Sequence, residues 1–173
     1  PAALEWLGFK KLRHVVVRLT LVLTVFGVIL STLHQSSLGA LFMIAPSKLH
    51  PLWYSGYLPV YFFISSIFAG MSMVIFEGTL AHRYLKEKMD QTHLEESNGV
   101  VLGFSKAADF VMAGYVAIKI IGIAVDNNWH HLATGWGLWF SLELAGFVLL
   151  PAFLFALAER EKRVKLAKIA AVI

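Results

Sequence analysis

No cysteine occurs among the 173 residues, so disulfides, thiolate zinc sites, cysteine nucleophiles and iron–sulfur clusters held by this chain are excluded. Charge is scarce too. Asp, Glu, Lys and Arg make up 15% of the residues against 58% hydrophobic, mean hydropathy is +0.68, and a soluble domain carries about a quarter charged residues. This balance belongs in a lipid membrane. The formal charge of +4 gives no nucleic-acid signature, because the basic residues collect beside apolar runs, where they meet lipid head groups. The sequence opens on Pro1 and closes on Ala170-Ala171-Val172-Ile173, the start of a fresh apolar run. We therefore expect a piece of a longer protein, with a further span beginning near 169–173.

Four apolar stretches are expected to cross the membrane, at 15–33, 58–80, 104–125 and 136–158. Short connectors make the expected fold all-α, a polytopic transmembrane bundle of four antiparallel helices. Lys and Arg number three before the first span, three between the second and third, and five after the fourth, whereas the opposite side carries Lys48 alone. The positive-inside rule then puts the His34–Trp53 and Asp126–Gly135 loops outside, and the expected location is the bacterial cytoplasmic membrane, multi-pass, with the His34–Trp53 loop periplasmic. Trp53, Tyr54, Tyr57, Trp129, Trp136 and Trp139 suit an aromatic belt at that outer boundary.

Ionisable residues inside spans are costly and mark interiors or water-filled paths. Lys119 lies six residues before Val125 and Glu143 seven after Trp136, so both are expected ~10 Å below the outer boundary, as an ion pair. Arg18, Glu77 and Asp109, with Lys106, fall at ~22 to ~28 Å and form a second polar layer near the inner boundary. Ser65, Ser66 and Ser72 lie between the layers, with Thr20 and Thr24 on the first span. Their hydroxyls suit a water chain for protons, and equally well serve as small residues that let helices approach.

Seven histidines raise the question of haem, but all are expected at span edges rather than facing each other mid-membrane. His34-Gln35-Ser36-Ser37-Leu38-Gly39 reads as the polar end of the first span, with Gly39 permitting a tight bend, and His50-Pro51-Leu52-Trp53 answers it before the second. A quinone needs an apolar slot, a donor to each carbonyl and a group that exchanges protons, and an imidazole suits the exchange. A helix end satisfied by its own polar residues fits the same run.

Ser31-Thr32-Leu33-His34-Gln35-Ser36-Ser37-Leu38-Gly39, then Leu49-His50-Pro51-Leu52-Trp53, then Met73-Val74-Ile75-Phe76-Glu77-Gly78, resemble in order and spacing the NrfD/polysulfide-reductase family of integral membrane subunits, hydrogenase-type members included. The likeness is strong from Leu12 to about Leu80 and weaker beyond Gly99. It implies a second four-helix bundle of a larger subunit, which carries no haem or iron–sulfur cluster of its own and exchanges electrons between menaquinone or ubiquinone and an iron–sulfur partner at the outer face. A catalytic or multihaem cytochrome subunit lies further along, and the remainder of the same membrane subunit completes the site. The expected quinone and proton region comprises His34, Gln35, Ser36, Ser37, His50, Trp53, Lys119 and Glu143. Proton-path candidates are Arg18, Ser65, Ser66, Ser72, Glu77 and Asp109. Whether the chain is itself catalytic stays open. A transporter of ions or small solutes and a purely structural anchor are the alternatives, the former expecting helices broken at mid-membrane.

Overall fold

The computed structural model describes residues 10–85 and 91–173. Helix α1 spans Lys10–Met43, α2 Leu58–Leu85 and α3 Gln91–Val125. The fourth crossing consists of α4, Gly135–Leu144, a π-turn over Ala145–Leu149, and α5, Leu150–Arg160. A short helix α6, Val164–Ala170, follows, and no strand occurs among the described residues. The membrane-length apolar portions are Leu19–Met43, Leu58–Ala81, Ser97–Val125 and Gly135–Arg160, of 25, 24, 29 and 26 residues. At ~1.5 Å per residue each exceeds a ~30 Å hydrocarbon core. The chain is thus all-α with four helices able to span a membrane.

The first crossing ends at Met43 and not at Leu33. Its polar run does not break the helix, and the Ser37 and Thr32 hydroxyls are satisfied on the helix itself. Ser37 Oγ donates to the Leu33 carbonyl at 3.0 Å, and Thr32 Oγ1 to those of Val28 and Ile29 at 3.1 and 2.9 Å. Ala40-Leu41-Phe42-Met43 then resumes the apolar pattern. His34 consequently stands nine residues before the helix end, ~14 Å into the crossing, so the expectation that every histidine sits at a span edge fails there. Gly39 makes no bend either. It is buried within α1, where a Cβ would come 2.7 Å from the Leu58 carbonyl oxygen and 2.9 Å from Pro59 Cα. Glycine here lets α1 cross the first turn of α2 at close range.

Helix α1 packs on α2, α2 on α3, and α5 returns to α3. Ala108 on α3 and Ala152 and Ala158 on α5 keep these helices close, while Phe155, fully buried, fills the space between them. Helix α1 packs chiefly on α2 at the edge of the bundle and leaves Leu21, Leu23 and Leu30 exposed. The basic tail runs into α6, whose Ala167 and Ala170 are buried against the bundle. The π-turn has a cause in Pro151, which has no N–H and whose ring would strike the carbonyl four residues back. Leu150 N–H donates to the carbonyl of Ala145, five residues back, so the crossing stays continuous.

Candidate functional site

At the end of the bundle where the 44–57 and 126–134 connections lie, a cavity of about 240 Å³ opens between the helices. Phe42 of α1, Trp53 of the first connection, Tyr61 of α2, Tyr115 and Lys119 of α3, and Glu143 of α4 form its chemically distinctive walls. Lys119 lies six residues before the end of α3 and Glu143 eight after the start of α4, depths of ~9 and ~12 Å.

Lys119 is 7% exposed. Its Nζ sits 4.4 Å from the Tyr61 ring centroid, 5.5 Å from that of Phe140 and 5.8 Å from that of Tyr115. Aromatic faces therefore take the place that a carboxylate would fill. The expected ion pair with Glu143 is not formed: no nitrogen–oxygen contact within 4.0 Å joins the two, although both line one cavity. Glu143 instead accepts a hydrogen bond at 2.7 Å from the indole N–H of Trp53, 90 residues away in sequence.

Trp53 is delivered by a tight turn. The His50 carbonyl accepts from Trp53 N–H at 2.9 Å and from Tyr54 N–H at 3.0 Å, and His50 Nδ1 accepts from Leu52 N–H at 3.3 Å. Leu52 anchors the turn by burial against Ile123 and Phe140, and the Trp53 ring meets Phe140 edge-on at 5.4 Å. One ammonium, one carboxylate, an indole donor, two phenols and the Ser65 hydroxyl thus punctuate a mostly apolar slot, an arrangement that accepts a flat molecule with polar groups at its edge.

Several expected site residues stand elsewhere. His34 and Ser37 are exposed on α1, Gln35 and Ser36 are partly buried there, and none of the four lines the cavity. His50 orients Trp53 without reaching the wall. Ser65 does line the cavity, but its hydroxyl donates to the Phe62 carbonyl at 3.0 Å, and that of Ser66 to Phe63 at 2.7 Å. Ser72 borders a separate apolar groove of about 520 Å³ beside Met112, Phe147 and Pro151. These serines therefore make no continuous chain. Glu77 is exposed on α2 and Asp109 partly buried on α3. Lys106 pairs with Glu159 of α5 at 3.4 Å, so the inner polar contact found here joins α3 to α5. The side chains of Arg18, His14, His82 and His93 lie outside the described residues, as do Lys86 and Lys88.

Tyr61, Tyr115 and Phe42 were not among the expected site residues. Tyr61 and Tyr115 carried a signal, since a phenol within an apolar span needs a partner for its hydroxyl; Phe42 carried none. Beyond the cavity mouth, His50, His130 and His131 adjoin, with ring centroids 5.3 Å apart for His50 and His131 and 3.9 Å for His130 and His131. Loss of surrounding water, then the neighbouring His130 and His50, hold His131 below the usual imidazole range. Among the described residues no group of three or more His, Cys, Asp or Glu is placed to hold a metal ion.

The family model for polysulphide reductase, NrfD, matches residues 1–173. A protein of Nitratidesulfovibrio vulgaris is 66% identical over all 173 residues, which cover 45% of its length. The probable Ni/Fe-hydrogenase 2 b-type cytochrome subunit of Escherichia coli K12 is 38% identical over 87 residues, half of this chain and 22% of that protein. The chain therefore spans less than half the length of these curated relatives. No solved structure matches it significantly.

Proposed function

Because the chain belongs to the NrfD polysulphide reductase family, we propose that it is part of a quinone-interacting membrane subunit of a respiratory oxidoreductase. It exchanges electrons between a membrane menaquinone or ubiquinone and an iron–sulfur partner docked at the loop end, which faces the periplasm, with a catalytic or cytochrome subunit beyond. The observation that carries this reading is the cavity, whose apolar walls hold Lys119 and the Trp53–Glu143 pair at similar depth.

Reduction of a quinone takes up two electrons and two protons, and oxidation of the quinol returns them. The residues of this chain supply the polar part of that exchange. The Lys119 ammonium donates to one carbonyl oxygen of the head group, Glu143, held by Trp53, accepts from a quinol hydroxyl, and Tyr61, Tyr115 and Phe42 enclose the ring and exclude water. His34 on α1 and Glu77 on α2, both exposed on this bundle, are assigned to proton transfer on the side that the rest of the subunit covers, linking quinone turnover to the opposite face.

The transporter alternative expects broken helices, and the π-turn at Ala145–Leu149 keeps its hydrogen bonding. The test uses the full-length subunit in its complex. Lys119→Met and Glu143→Gln are each expected to lower quinone-dependent turnover by about tenfold or more with assembly unchanged. Wild-type turnover in both would reject the reading in favour of a structural anchor.

A further inference from the structure

A second void, of about 10 Å³, lies between the cavity and the loop end. Tyr61 and Lys119 line both spaces and form the partition between them. The void is completed by Ser55, Gly122, Asp126 and Asn128, and its volume suits about one water molecule among polar partners. Its existence depends on Gly122. A Cβ at that position would collide with the Tyr61 hydroxyl and approach Ser55 Oγ to 3.4 Å.

The polar groups are set at successive levels. Asp126 is exposed just past the end of α3. Ser55 and Tyr61 are 6% and 4% exposed, the Tyr61 hydroxyl donates at 3.4 Å to the Ile118 carbonyl, and Ser55 Oγ accepts from Tyr57 N–H at 3.3 Å. Above them Asn128 Nδ2 donates to the Pro51 carbonyl at 3.0 Å, tying the two loops together as a roof. Hydroxyls that accept and donate at once are suited to passing protons on.

We propose that Asp126, a water in this void, Ser55 and the Tyr61 hydroxyl form a proton relay that connects solvent at the loop end to Lys119 and so to the cavity. The inference rests on the quinone reading above and names the route by which that site exchanges protons with the periplasmic side. When a quinol is oxidised, its two electrons go to the iron–sulfur partner and its two protons leave one at a time. The Lys119 ammonium, which borders the void, releases a proton to the water there, the Tyr61 and Ser55 hydroxyls on the same void hold that water, and Asp126 delivers the proton to solvent. As the neutral amine, Lys119 then takes the next proton from a quinol hydroxyl. Quinone reduction runs the same transfers inward, with two electrons from the partner. Tyr57, Tyr115, Glu143 and Asp126 are the other titratable groups facing Tyr61 and Lys119, so the pH profile reports on these together.

The experiment uses the full-length complex, a water-soluble naphthoquinol as substrate and a hydroxyquinoline N-oxide as a quinol-analogue probe. Tyr61→Phe, which keeps the ring over Lys119, is expected to lower turnover about tenfold and Asp126→Asn about threefold, each with a changed pH–rate profile and a larger solvent deuterium effect. Probe affinity is expected to stay within about twofold in Asp126→Asn, since Asp126 does not line the cavity. Should Tyr61→Phe not assemble, the exposed Asp126→Asn decides the matter alone. Wild-type rates, pH profile and isotope effect beside intact probe binding would overturn the relay and leave the quinone reading standing. A wild-type complex that does not bind the probe overturns both.

Discussion

Trp53 and Glu143 show how one contact can define a site. The indole N–H fixes a carboxylate at the cavity wall at 2.7 Å, and a hydrogen bond to a charged group stabilises by roughly 1.5–3 kcal/mol when water is excluded. Trp53→Phe keeps the aromatic packing on Phe140 but removes the donor. Binding of a quinol analogue is expected to weaken about fivefold, ~1 kcal/mol, because this pair is partly open to solvent; unchanged affinity in a titration would remove Trp53 from the site. His131 supplies a second test at this scale. Its folded-state value is depressed, so the neutral ring is favoured in the fold. The stability it contributes is present above the ordinary value of about 6.5 and is lost as pH falls through the depressed one. A histidine NMR titration should give His131 a midpoint below 6.5, and His130→Gln should raise it. At this scale Lys119 and Glu143 were legible from counting inward from span ends. The Trp53 contact was not, since nothing local in sequence announces a partner 90 residues away. Tyr61 was not legible either, since an aromatic in an apolar run reads first as lipid-facing bulk.

At the scale of helices, the boundary of α1 departs most from the sequence reading. His34-Gln35-Ser36-Ser37 resembles a helix end, yet the chain stays helical to Met43, with the Ser37 hydroxyl bonded back to the Leu33 carbonyl one turn earlier. That extension brings Phe42 to the cavity wall. The packing of Gly39 on Leu58 and Pro59 holds α1 in place, so Gly39→Ala should push the two helices apart and open the wall. The expected outcome is loss of quinol-analogue affinity of about tenfold with helical content retained by circular dichroism. Full affinity would mean that α1 is not a wall of the binding site. The second and fourth apolar stretches, Leu58–Ala81 and Gly135–Arg160, start and stop within two residues of the runs read from sequence, whereas the third starts at Ser97, seven residues before Phe104. The π-turn was not legible, since Pro151 signals a perturbed helix without saying how the backbone absorbs it.

For the molecule as a whole, the distribution of basic residues gives an orientation that can be checked directly, since a chain without cysteine accepts one reporter at a time. Lys48→Cys, beside the cavity mouth, is expected to react with an impermeant maleimide from the periplasmic side, and Lys162→Cys, beyond α5, only after the membrane is breached. The reverse pattern would invert the site and contradict the periplasmic partner proposed above. Four crossings, their order and the family were legible from composition, charge and three spaced motifs. The cavity was not, because it is created where α1, α2, α3 and α4 meet a loop. Photoaffinity labelling of the full-length complex with an azidoquinone, mapped by mass spectrometry, tests the central claim most directly. Cross-links are predicted on the cavity wall at Phe42, Trp53, Tyr61 or Tyr115, abolished by excess unmodified quinone. Labelling confined to the groove at Ser72 and Met112, or labelling that excess quinone does not displace, would contradict the account.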